Sequence, residues 1–127
     1  MSTPHAELPP VEIRRLGSVT VATLLDKRVL GARATALFED HLLPEADALA
    51  GDGLVIDFSR VTYFGSDSFG RLVLLAGRVD RAGGWLTLCH VDGKIREVFR
   101  VTRLDTRFDI ADDLVTAIGS NRPTEPG

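Results

Sequence analysis

Ser66, Asp67 and Ser68 stand together where a strand-like run gives way to a helical one, and no other cluster in the chain is better placed to do chemistry. A serine at a helix start can offer its hydroxyl oxygen to the unpaired amide hydrogens of the first turn. The positive end of the helix dipole also favours an anion at that point. Ser66 is therefore expected to be the N-cap of the helix that follows. The run Ser66-Asp67-Ser68-Phe69-Gly70 also approximates a nucleophile elbow, with Ser66 in place of the first glycine. A small serine hydrolase using Ser66 or Ser68 would need a downstream acid and histidine, and His90 is the only histidine that follows. No catalytic residue is assigned.

Other chemistries find less support. His5, His41 and His90 are scattered, and Cys89-His90 alone matches no recognised ligand spacing, so no metal site is expected. Cys89 reads as a buried strand-end residue. No glycine-rich phosphate loop is present, and no cofactor is expected. Asp57, at a strand end, could be a phospho-acceptor carboxylate as in receiver domains. Those need acidic residues on the first strand to hold magnesium, and Val19–Leu25 has none. Asp57 is expected to stabilise a turn.

Periodicity supplies the elements that position these residues. Val11 to Leu25 alternates as two strands about a turn at Gly17-Ser18, followed by a connection from Asp26 to Gly31. Ala34, Leu37, Phe38, Leu42 and Ala46 follow a helical period, and Pro44 should break or kink that helix near His41. Leu54–Phe58 is a short apolar run suited to a central buried strand. Ser66–Ala82 is a long helix closed by Gly83-Gly84, and Trp85–Cys89 is another strand. Asp92–Thr102 reads as a helix with Ile95, Val98, Phe99 and Thr102 along one face. Arg107–Ile110 is a short edge strand, and Asp112–Ile118 a last helix with Asp112 as its N-cap. Strands alternating with helices imply an α/β fold, a mostly parallel mixed sheet opened by an N-terminal hairpin, with about four helices. The expected organisation is one domain over residues 11–119, with flexible ends at 1–10 and 120–127.

Residues 11–118, most strongly 54–110, resemble the STAS domain, the fold of bacterial anti-sigma factor antagonists. The family has an apolar strand ending in Asp-Leu-Ser, then Val-x-Phe-hydrophobic, then Asp-Ser-Ser/Thr-Gly-Leu opening a helix. Here the corresponding residues are Val55-Ile56-Asp57-Phe58-Ser59, Val61-Thr62-Tyr63-Phe64 and Gly65-Ser66-Asp67-Ser68-Phe69. Gly83-Gly84-Trp85 matches the family's Gly-Gly before the next strand. Thr102-Arg103-Leu104-Asp105 stands at its Thr-Gly-Leu-Asp turn. The resemblance implies a non-enzymatic binding switch for transcription regulation. Its partners would be an anti-sigma factor serine kinase, which phosphorylates Ser66, with Ser68 in reserve, and a phosphatase that resets the switch. Around the serine the sequence departs from the pattern: Gly65 replaces an acid, Asp67 a second Ser or Thr, and Ser68 a glycine. The alternative is an unphosphorylated STAS module that binds a nucleotide or serves as a subunit of a membrane transport ATPase complex.

On the long helix, Asp67, Arg71, Leu74, Arg78 and Arg81 share one face, opposite Phe69, Leu72, Val73, Ala76 and Val79. A solvated face would look similar, but an apolar residue ringed by arginines that runs back to Ser66 favours an interface. The expected partner-binding residues are Gly65, Ser66, Asp67, Ser68, Arg71, Leu74 and Arg78. Arg96, Arg100, Arg103 and Arg107 read as a second, solvated basic row, with an acidic partner or a nucleotide phosphate as the alternative. The formal net charge of −3 argues against direct nucleic-acid binding. No apolar run is long enough for membrane insertion. A single cysteine and an N-terminus without basic and apolar regions point to a cytoplasmic protein; the oligomeric state is left open.

Overall fold

In the computed structural model, which describes residues 8–119, alternating apolar residues from Val11 build an antiparallel hairpin of β1 (Val11–Leu16) and β2 (Val19–Leu24). Gly17 turns the chain at φ +63°, a conformation that costs glycine little. The main sheet continues in parallel through β4 (Gly53–Asp57), β6 (Trp85–Cys89) and β7 (Asp109–Ala111), in the order β1-β2-β4-β6-β7. All five residues of β4 are buried, as its unbroken apolar run requires of a strand covered on both faces. The expected mostly parallel sheet opened by a hairpin is therefore present.

One strand was hidden in the segment expected to be a plain connection. Arg28–Val29 forms β3, which pairs in parallel with β5 (Tyr63–Phe64) as a separate two-stranded sheet. Two residues are too few to show a period. The helical arm after it comprises α1 (Gly31–Ala36), a π-helical segment (Leu37–Leu42) and α2 (Leu43–Asp47). Pro44 does not break this arm. It lies in the first turn of α2, where a missing N–H is tolerated, and the wider π turns before it take up the distortion.

The sixteen-residue α3 (Ser66–Arg81) ends at Gly83, φ +74°, where the Gly84 N–H reaches back to the Val79 carbonyl at 3.0 Å. Helix α4 (Gly93–Val101) is capped by the Asp92 carboxylate. A 3-10 turn (Leu104–Thr106) follows Arg103, which sits at φ +66° where the family's turn has glycine. Val98 and Thr102, expected on the inner face of α4, are exposed, whereas Ile95 and Phe99 are buried. The last helix, α5 (Leu114–Gly119), is capped by Asp113, whose carboxylate accepts from the Thr116 N–H at 2.8 Å. The expected cap, Asp112, lies one residue too early.

The helical arm, α3 and α4 cover one face of the sheet, with Leu54, Ile56, Leu75 and Phe99 at the centre of the larger core. On the opposite face Val19, Val21, Val55 and Cys89 meet Ala117 of α5. The arm with α3, α4 and α5 makes the four helical units expected. Residues 8–10 join the domain rather than trailing from it: Pro10 is buried and its carbonyl accepts from the Leu25 N–H at 2.9 Å. The remaining expected flexible ends, 1–7 and 120–127, lie outside the described residues.

Candidate functional site

The start of α3 is bolted to β3 through one carbonyl. The Val29 oxygen accepts from the Gly65 N–H at 2.9 Å and from the Ser68 hydroxyl at 3.0 Å. Ser68 is fully buried there. Its place as a reserve phosphorylation site is withdrawn, because the hydroxyl points into the fold and is already committed. Ser68→Ala should destabilise the domain by about 1 kcal/mol in urea unfolding, the usual worth of such a bond. An unchanged midpoint would show that the bond contributes nothing.

Gly65, rather than Ser66, is the N-cap, with extended backbone and no side-chain cap bond. Ser66 is instead the first helical residue. It is exposed, and its hydroxyl makes no hydrogen bond within the described residues. Gly65 is buried, so it meets a partner only through its neighbours. A Cβ there would lie 2.7 Å from Asp67 Oδ1 and 3.1 Å from the Leu30 Cβ. The Asp67 carboxylate thus fills the space beside Gly65, and its Oδ2 accepts from the Gly31 N–H at 3.3 Å. Gly65 and Asp67 therefore depart from the family pattern together: the acid reaches the helix start from the residue after the serine.

The arginine face is not a bare basic stripe. Arg71 meets Glu39 at 3.4 Å and Arg78 meets Asp47 at 2.6 Å, both across to the helical arm. Leu74, 54% exposed, lies between these pairs in a shallow groove with Leu43 and Pro44. The surface is apolar at its centre and nearly neutral at its rim. Sequence spacing shows the residues that share a helix face but not the acids facing them from another element. Near the β3–β5 sheet, Arg28 stacks over the Tyr63 ring at 4.6 Å. Tyr63 and Leu30 are exposed beside the helix start, and the sequence reading missed both. Of the second row, Arg96 pairs with Asp112 and Arg100 with Glu97, which fits a solvated face.

A second group of reactive side chains gathers at the C-terminal ends of β4 and β6. Asp57 Oδ1 accepts from the Ser59 N–H at 2.9 Å, the expected turn contact, and also lies 3.0 Å from His90 Nδ1. His90 is thereby tied to Asp57 and makes no bond to Ser66, so the two do not form a nucleophile–base pair. Cys89 is buried beside them. Burial, then the charges of Asp57 and Asp113, push its thiol up to about 12. Among the described residues no helix is long and apolar enough to cross a membrane.

A sequence profile of the STAS domain matches residues 22–117. No curated protein sequence matches the chain. Among solved structures, the chain is similar to an anti-sigma-factor antagonist (STAS) domain protein from Planctomyces limnophilus. That match has 21% identity and a TM-score of 0.80, covering 87% of this chain and 96% of that one. It is also similar to an anti-sigma factor antagonist from Mycobacterium paratuberculosis, at 21% identity and a TM-score of 0.72, over 87% and 91% of the two chains. The anti-sigma factor antagonist SpoIIAA in its unphosphorylated form matches at 13% identity and a TM-score of 0.62, over 83% and 90%. At these identities the likeness shows a shared fold.

Proposed function

The chain belongs to the STAS domain family, and on that premise we propose that it is a regulatory binding module of the anti-sigma factor antagonist type, without enzymatic activity of its own. Its partner is an anti-sigma factor of the serine-kinase class, met in the cytoplasm, and docking frees a sigma factor. The observation that carries this reading is Ser66: an exposed serine with an uncommitted hydroxyl, at the first position of a long helix, directly after a buried glycine and two residues before a buried serine. The docking surface comprises Ser66 and Asp67, Leu30 and Tyr63 beside them, and Leu74 between the Arg71 and Arg78 ion pairs.

Phosphorylation adds about −1.5 to −2 charges at Ser66. The helix N-terminus tolerates them within the free chain. A partner that covers this point must bury them beside the Asp67 carboxylate, so the complex dissociates. A phosphatase then restores binding. The switch needs no internal rearrangement, only a change in what the exposed helix start can lie against.

Incubation with the serine-kinase anti-sigma factor of the same organism and Mg-ATP tests the reading by intact mass and peptide mapping. One added phosphate, mapped to Ser66 and absent from Ser66→Ala, is the expected result. No incorporation, together with undiminished partner binding by Ser66→Glu, would overturn it.

A further inference from the structure

We propose that Asp57, Cys89 and His90 form a binding site for a divalent transition-metal ion of the zinc class. A carboxylate, a thiol and an imidazole are the three side-chain types that zinc uses, and soft sulfur with imidazole selects against magnesium and calcium. The three offer ligand atoms that all lie within 4.8 Å of one another. Tetrahedral coordination at ordinary zinc distances needs separations of about 3.4–3.7 Å. Closing that gap falls to His90, whose side chain is 37% exposed and the most accessible of the set.

The fold places the group where parallel sheets commonly present ligand sites, outside the carboxyl ends of adjacent strands. Asp57 and Cys89 are register partners at the last paired positions of β4 and β6. His90 follows at φ +54°, a conformation sparsely used by residues with a side chain. It brings the imidazole to Asp57 although the two are 33 residues apart in sequence. Both hydrogen bonds of the Asp57 carboxylate fall on Oδ1, which leaves Oδ2 free to ligate. Asp113, at the cap of α5, adds negative charge to the neighbourhood of Cys89 and His90. On binding, the Cys89 thiol gives its proton to water as the sulfur–metal bond forms. The Nδ1 proton that His90 donates to Asp57 Oδ1 leaves to solvent, the neutral ring keeps a proton on Nε2, and the freed Nδ1 lone pair takes the ion in place of that contact. A solvent molecule completes the coordination. The site lies on the α5 side of the sheet, where Cys89 packs, and does not depend on the role of Ser66.

Cobalt(II) titration of the chelator-treated full chain tests the proposal. Expected is a one-to-one isotherm with thiolate-to-cobalt charge-transfer absorption, displaced by zinc. His90→Asn keeps a residue tolerant of positive φ, and Asp57→Asn keeps an acceptor for Ser59. Each should weaken binding at least tenfold with an unchanged far-ultraviolet circular dichroism spectrum, and Cys89→Ser should remove the charge-transfer absorption. No absorption change at millimolar cobalt would overturn the proposal. So would binding undiminished in His90→Asn, which would place the ion at His5 or His41 instead.

Discussion

Replacing Phe64 by alanine is expected to destabilise the domain by about 3–5 kcal/mol, the usual cost of emptying a buried phenylalanine site. Phe64 is 6% exposed and sits second in a row of five aromatic rings. Its centroid is 5.2 Å from Phe58 and 4.9 Å from Phe69. The row then continues to Phe99 at 5.1 Å and Phe108 at 5.7 Å. Each tilted or edge-on pair adds about 0.5–1.5 kcal/mol beyond simple burial. The row links the end of β4, the residue before Gly65, the first turn of α3, the core face of α4 and the approach to β7. Emptying one link should therefore loosen the seat of Ser66 as well as the core. In urea, the loss corresponds to a fall in midpoint of about 1.5–2.5 M. Tyr63→Ala, one residue earlier, removes an exposed ring and its stacking with Arg28, and should cost no more than about 1 kcal/mol. A Phe64→Ala midpoint within experimental error of Tyr63→Ala would show that the aromatic row does not hold the helix start.

The contrast between neighbouring residues 63 and 64 bears on what sequence alone can disclose. Phe64 and Tyr63 form a two-residue strand, and no period can be read from two residues. Both strands of that small sheet were therefore missed, although Val29 carries the two bonds that seat α3. Longer elements were legible: β4 from its unbroken apolar run, α3 from its 3.6-residue pattern and terminal glycines. The candidate site was legible at Ser66, because the type of residue and its place between strand and helix survive an error of one position in the helix boundary. Its surroundings were not. Whether Ser66 or Gly65 caps the helix, and whether Asp112 or Asp113 caps α5, turns on one backbone torsion rather than on composition. That Arg71 and Arg78 face Glu39 and Asp47 is set by how α3 packs on the helical arm, which the spacing along α3 cannot encode. The tie between Asp57 and His90 likewise arises from strand order and from the left-handed backbone at residue 90.

Ser66→Glu should weaken partner binding by about thirty- to several thousand-fold while leaving the free domain as stable as before, or more stable by up to about 1 kcal/mol. The two effects have opposite signs because the same carboxylate meets different environments. In the free chain it lies at the first helical position, exposed to water and near unpaired amide hydrogens, where a negative charge is favourable by about 0.3–1 kcal/mol. In the complex it would be buried unpaired beside Asp67, whose own carboxylate is already satisfied by the Gly31 N–H. An uncompensated charge at an interface costs about 2–5 kcal/mol, and each 1.4 kcal/mol is tenfold in affinity. Binding should therefore weaken by about thirty- to several thousand-fold, measured by calorimetry against the kinase anti-sigma factor. Ser66→Ala, which removes only an uncommitted hydroxyl, should stay within a few-fold of the parent. Leu74→Asp separates charge at the helix start from the wider face: it puts a carboxylate between Glu39 and Asp47, far along α3 from the serine. If both carboxylate variants lose affinity and keep their urea midpoints, the partner covers the surface from Ser66 to Leu74. Loss in Ser66→Glu alone would confine docking to the helix start and its neighbours Leu30 and Tyr63. Full affinity in Ser66→Glu would remove the electrostatic basis of the switch.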